Sequence, residues 1–233
     1  MLKSQENPQK PLHFGFIVDG NRRWAREKNL PTLKGHQKGL EVVETTIEKL
    51  ASLKIVSHAS FYLFSTENWN RSAEEVGYLM NLAKQKLLNL AKKMAKNNIK
   101  CLIFGSENNV SPELLADLKE AEKITKDSTG MTVCICFNYG GKQEILDAAN
   151  SAFAEKSAPL TLEDLESHLY HPEVPPCDMI IRTSGEERFS GFMLWRAAYS
   201  EFLFLKKYWP DLEPADIDAV LAEYNNRSRR FGK

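Results

Sequence analysis

The feature that most constrains this chain is an alternation. Short runs rich in β-forming apolar residues are separated by longer segments whose apolar residues recur with helical period. The runs Leu12–Val18, Ile55–Phe64, Ile99–Phe104, Met131–Phe137 and Met179–Ile181 read as strands. Segments near 37–53, 73–96, 112–126 and 142–154 read as helices, with a short one near 161–169 and a last one after Pro214. Strand and helix in repetition predict an α/β fold: a mainly parallel central sheet flanked by helices. Two helix starts carry their chemistry openly. Ser111 is an N-cap with Pro112 at the first helical position, and Thr161 offers a hydroxyl with Asp164 three residues on.

The 233 residues contain no repeat and no linker, so one domain over 1–233 is expected, with residues 1–11 as a flexible polar tail. Lys plus Arg and Asp plus Glu both total 31, leaving no net field to draw the chain onto nucleic acid or an anionic membrane. An anionic ligand must therefore be held locally. Cys101, Cys134, Cys136 and Cys177 lack C-x-x-C spacing and read as buried thiols. The polar start has no apolar leader and no stretch is long enough to span a bilayer, which predicts a cytoplasmic protein with at most peripheral membrane contact.

In parallel α/β sheets ligands bind beyond the carboxyl ends of the strands, and three of those ends carry unusual sequence. After the first comes Asp19-Gly20-Asn21-Arg22-Arg23-Trp24, a carboxylate, a glycine for close approach and then donors entering a helix. A helix N-terminus with two arginines suits a diphosphate, and Asp19 suits the magnesium such a ligand brings. The plainer alternative is an aspartate cap followed by solvated arginines. After the second strand comes Ser65-Thr66-Glu67-Asn68-Trp69-Asn70-Arg71. After the last, Arg182, Arg188 and Ser190 place fixed charge and a hydroxyl within nine residues, enough to clamp a second diphosphate, although surface loops also collect arginines. Two anion sites and one carboxylate point to a transferase joining two phosphorylated substrates. The helix over 73–96 has an apolar face wider than one stripe, which serves either packing on two sides or the wall of a greasy channel.

The segments HFGFIVDGNRRWA, KGHQKG, FYLFSTENWNRSAEEV, FNYGGK, MIIRTSGEERFSGFMLW, YSEFLF, YWPDL and RSRRFG occur in this order from His13 to Gly232. In this they resemble the motifs of the cis-prenyltransferase family, whose best-known bacterial members are undecaprenyl diphosphate synthases. The resemblance implies a single α/β domain with a hydrophobic product tunnel, acting as a homodimer with Mg²⁺ on isopentenyl diphosphate and an allylic diphosphate. It implies that Asp19 is the catalytic, metal-binding aspartate and Glu201 a second metal-associated carboxylate. Gly20, Asn21, Arg22 and Arg23 would cradle the allylic diphosphate, with Trp24 and His36 beside them. Ser65, Thr66, Glu67, Asn68, Trp69, Arg71 and Glu75 would border both substrates, Asn68 steering the proton lost after condensation. Arg182, Arg188, Phe189 and Ser190 would hold isopentenyl diphosphate.

The sequence departs from that pattern at several points. Thr32 stands where many members carry an arginine, a loss that Arg22 or Lys34 could offset, and Ser72, Ser184, Glu187 and Gly191 also differ. Leu63 stands where alanine is frequent on the strand that floors the tunnel, which predicts a product shorter than the usual long polyprenyl. The basic stretch from Arg227 to Lys233 is either a solvated helix end or an arm toward a partner's site. Two other readings stay open: a phosphatase with a strand-end aspartate, and a non-catalytic partner subunit of a prenyltransferase.

Overall fold

A computed structural model describes residues 11–227; the expected tail, apart from Pro11, and the basic stretch after Arg227 lie outside the described residues. Six strands form one sheet: β1 (Leu12–Ile17), β2 (Val56–Ser65), β3 (Lys100–Phe104), β4 (Thr132–Tyr139), β5 (Met179–Arg182) and β6 (Glu201–Phe204). Among them run α1 (Asn21–Glu27), α2 (Thr32–Ser52), α3 (Ala73–Lys96), α4 (Pro112–Thr125), α5 (Gly141–Lys156), α6 (Leu162–Ser167) and α7 (Pro214–Asn226). Short 3₁₀ turns occupy Thr66–Asn70 and Trp209–Asp211.

The sheet order is β3-β4-β2-β1-β5-β6, and each pairing is parallel, in line with the α/β expectation. Strand alternation sorts the core into two layers. Phe14, Phe16, Ala59, Phe61, Val133, Ile135, Met179 and Ile181 face one side, where they meet Val43 and Ile47 of α2, Leu90 and Met94 of α3, Leu118 of α4 and Ile217 of α7. The opposite faces carry Ile17, Tyr62, Cys134, Cys136 and Ile180, covered by Val174, Cys177, Phe192 and Met193. All four cysteines are buried free thiols, and burial pushes the Cys134 thiol up to about 12.

Two elements differ from the sequence reading. β6 was not expected, because its four residues are half-buried and too few to show alternation. Helix α2 starts at Thr32, earlier than residue 37, behind Pro31 with no side-chain cap to mark the start. β1 sits between β2 and β5, so the chain leaves it toward one side of the sheet and returns on the other. That reversal opens a crevice at its carboxyl end, and Asp19 stands there.

Candidate active site at the carboxyl ends of the strands

Thr183 ties the ends of β1 and β5 together: its Oγ1 donates to the Asp19 carbonyl at 2.7 Å and accepts the Asp19 N–H at 3.1 Å. The Asp19 carboxylate is thereby fixed beside two guanidinium groups. Arg182 Nη2 donates to Oδ2 at 2.8 Å and Arg23 Nη2 to Oδ1 at 3.2 Å, while the Gly20 N–H donates to Oδ1 at 2.7 Å. Partial burial works against ionisation of Asp19, but the Arg182 hydrogen bond and charge, with Arg23, outweigh it and hold its pKa below the usual carboxylate range. The group is a fixed anion.

Gly20 makes the turn into α1 at φ +107°, and a Cβ there would meet Tyr208 Cδ1 at 2.7 Å. It also leaves α1 without a side-chain cap. The first-turn amides therefore lack intrahelical partners at the mouth of a cleft of about 380 Å³ lined by Asp19, Arg22, Arg23, Arg26, Thr32 and Arg71. A second cleft of about 640 Å³ shares Asp19 and continues past Ser65, Thr66, Glu67 and Asn68 to Arg182 and Ser190. A third, apolar slot of about 90 Å³ opens from it between α2, α3 and the sheet, lined by Leu40, Val43, Leu63, Leu79, Leu82 and Phe137. Leu63 and Leu79 line both the second cleft and the slot, so the α3 face both packs and walls a channel.

Where α2 and α3 face each other, Glu75 gathers three partners. His36 Nε2 lies 3.1 Å and Arg71 Nη1 2.9 Å from Oε1, and Arg22 lies 3.8 Å from Oε2. Burial opposes the Glu75 charge, yet Arg71 and the His36 hydrogen bond lower its pKa; burial lowers that of His36 despite Glu75. Asn68 is anchored at the other wall, its Oδ1 accepting the Ser65 N–H at 3.1 Å. Arg182 Nη1 donates to Ser190 Oγ at 2.9 Å and to the Arg188 carbonyl.

Six expected site residues do not line the clefts: Glu75 stands behind His36 and Arg71, and Trp24, Trp69, Arg188, Phe189 and Glu201 are engaged elsewhere. The Trp24 indole donates to Asp211 at 2.6 Å, and that of Trp69 to Asn138 Oδ1 at 2.7 Å, its ring packed edge-on against Phe64. Phe189 packs on Phe202. Glu201 begins β6, paired in register with Met179, whereas Asp19 lies past the far end of β1, two strands away. The rise from the level of Phe14 to the end of β1 and the two strand spacings each amount to roughly 10 Å, so Glu201 and Asp19 lie apart in the fold. Glu201 is paired instead with Arg227 at 3.1 Å. Arg188 is 61% exposed and turned to Glu186, leaving only its carbonyl on Arg182. Lys34 hydrogen-bonds Gln37 and does not line the cleft beside Thr32; Arg26, one turn along α1 from Arg22, does, and it was not foreseen. Gly140, Gly141, Lys142 and Gln143 were also missed, although FNYGGK was a visible motif.

A family model described as putative undecaprenyl diphosphate synthase matches residues 17–232. The chain belongs to the undecaprenyl diphosphate synthase family. It is 42% identical to the isoprenyl transferase of Thermotoga maritima, covering 95% of this chain and 97% of that one. It is 39% identical to the isoprenyl transferase of Neisseria gonorrhoeae, covering 98% and 92%. Among solved structures it resembles lavandulyl diphosphate synthase from Lavandula x intermedia in complex with dimethylallyl diphosphate, with TM-score 0.90, 29% identity and coverage of 96% and 99%. It also resembles a probable undecaprenyl diphosphate synthase from Campylobacter jejuni, with TM-score 0.81, 27% identity and the same coverage. These likenesses lend no support to a phosphatase or a non-catalytic partner.

For a member of the undecaprenyl diphosphate synthase family, the donor set fits Mg²⁺ in one particular way. No group of three His, Cys, Asp or Glu side chains is gathered among the described residues. Mg²⁺ commonly takes one or two carboxylates and completes its shell with substrate phosphates and water, and an ionised Asp19 beside a cationic cleft meets that need.

Proposed function

We propose that this chain is a cis-prenyltransferase that condenses isopentenyl diphosphate with an allylic diphosphate, farnesyl diphosphate being the expected starter, to give a Z-polyprenyl diphosphate. One observation carries the reading: Asp19, Arg23 and Arg182 meet where two polar clefts join, and an apolar slot leads away from the junction. Two charged heads and one growing hydrocarbon tail need that arrangement.

The allylic diphosphate belongs in the smaller cleft, against the first turn of α1, with Arg22, Arg23 and Arg26 around it and Thr32 contributing no charge. Negative charge grows on its oxygens as the allylic C–O bond breaks, and donors fixed in advance stabilise that charge without reorganising. Mg²⁺ held by Asp19 would add a Lewis acid at the same oxygens. Isopentenyl diphosphate belongs in the larger cleft by Arg182 and Ser190, where Arg188 joins by leaving Glu186. Its double bond attacks the cation-like carbon, and a proton is lost. A carboxamide is not a base, so Asn68 positions the acceptor of that proton. Holding both heads in register supplies several kcal/mol through proximity.

Leu63 stands at the throat of the slot, which supports a product shorter than the long polyprenyls. A homodimer fits the position of β6, last in the sheet among the described residues, and the 80% exposed Tyr199 beside it. No helix among the described residues is long and apolar enough to cross a membrane. The accompanying reading is a cytoplasmic enzyme that touches the bilayer to release product. The test is direct. The purified chain, Mg²⁺, labelled isopentenyl diphosphate and geranyl, farnesyl or geranylgeranyl diphosphate are incubated and the products sized. Elongated Z-prenyl diphosphates are expected, whereas phosphate release without elongation would sink the proposal.

A further inference from the structure

The FNYGGK motif, Phe137 to Lys142, borders the slot and the larger cleft, and its glycines sit where nothing larger fits. A Cβ on Gly140 would meet Thr66 Oγ1 at 2.6 Å, and one on Gly141 would meet the Gly191 carbonyl at 2.4 Å and Leu194 Cβ at 2.6 Å. Helix α5 therefore begins wedged between the turn after β2 and the loop that carries Ser190. Gly140 supplies no side-chain cap, and the Gly141 N–H is already given to the Gly191 carbonyl at 3.0 Å. The amides of Lys142 and Gln143 come next, in the first turn, where no intrahelical acceptor exists. Both residues line the larger cleft together with Arg182 and Ser190. The acidic residue of this turn, Glu144, is engaged elsewhere, by Arg196 at 2.6 Å and the Tyr139 hydroxyl. Lys142 itself is exposed and has no carboxylate partner among the ion pairs of the described residues.

A second observation on the same cleft points to a ligand. Arg182 is only 5% exposed, and its Nε is buried without an acceptor, although Nη1 and Nη2 are both bound. A buried guanidinium N–H left open is destabilising until something completes it. An anion lying between Arg182 and the start of α5 would do so, and would also meet the positive end of the helix dipole and the Lys142 ammonium.

We propose that the amino end of α5, with Lys142, is the second wall of the isopentenyl diphosphate subsite, its amides and Arg182 Nε binding the oxygens of one diphosphate. This rests on the prenyltransferase reading. Lys142→Gln removes one exposed charge and leaves the fold alone. It raises the KM for isopentenyl diphosphate about tenfold, the scale of one charge-assisted contact, and moves that for the allylic diphosphate less than about twofold. In ¹⁵N-labelled wild-type protein, the Lys142 and Gln143 amide resonances shift saturably with isopentenyl diphosphate, and more weakly with inorganic pyrophosphate. An unchanged KM in the variant, still amides, or a response to inorganic pyrophosphate alone would each overturn the assignment. A wild-type chain that forms no prenyl product would instead remove the enzymatic reading, and the amide titration would still decide whether the anion site exists.

Discussion

Asp19 accepts from Arg182, Arg23 and the Gly20 amide, which aims both guanidinium groups at the junction of the clefts. Asp19→Asn keeps the shape of the side chain and removes its charge. Turnover should fall at least about 10³-fold, the loss typical of one preorganised charge at the reacting oxygens, with far-UV dichroism and elution volume unchanged. Retention of a tenth of the activity would exclude Asp19 from the chemistry. At Leu63, truncation enlarges the slot, so Leu63→Ala should lengthen the product by one or more units, read by mass spectrometry with the same starter. Residue types at the strand ends were legible in the sequence; side-chain directions were not. Trp24 and Trp69 lie within motifs whose neighbours line the clefts, yet each indole turns to a carboxylate or carboxamide elsewhere. Glu201 lies apart from Asp19, a separation its motif did not show because a motif gives no sign of which end of its strand a residue occupies.

Elements place those residues through their starts and stops. Helix α3 was legible over its full span because Ser72 caps it, accepting the Glu75 N–H, and its apolar period is sustained over 24 residues. Helix α2, entered from Pro31 without a cap, and β6, with four residues, left too little local chemistry to locate. The start of α1 depends on Gly20, whose φ of +107° strains any residue with a Cβ and whose α-carbon faces the Tyr208 ring. Gly20→Ala should cost about 1–3 kcal/mol in urea unfolding and displace the first turn of α1, raising the KM for the allylic diphosphate more than that for isopentenyl diphosphate. Equal effects on the two constants would show that the turn does not serve one cleft in particular.

For the whole molecule, the fold responds to pH through a residue far from the clefts. His13 is fully buried at the base of β1, between the Pro175 carbonyl at 2.7 Å and Ser60 at 2.8 Å, near His58, Cys177, Asp178 and Arg196. Burial lowers its pKa from 6.5 to about 3. The unfolded chain then binds a proton that the folded chain refuses, so stability falls as pH drops from about 6.5 toward 3, by up to ~1.4 kcal/mol per unit. Asp19 and Glu75, with depressed pKa values, add to the loss only at the acidic end of that range. Chemical denaturation at pH 7, 6 and 5 should show that slope, and His13→Gln should reduce it, leaving the share of His36 and His58, whose pKa values burial also lowers. At this scale the parallel sheet was readable from the alternation of runs, whereas the order β3-β4-β2-β1-β5-β6 depends on pairings between distant segments that no local pattern encodes. The ion pair between Asp19 and Arg182 spans 163 positions of chain. A ribosome adding ~5–20 residues per second thus needs on the order of ten seconds between emitting the acid and emitting its guanidinium partner, and until then the nascent polypeptide owns half a pocket and no catalyst.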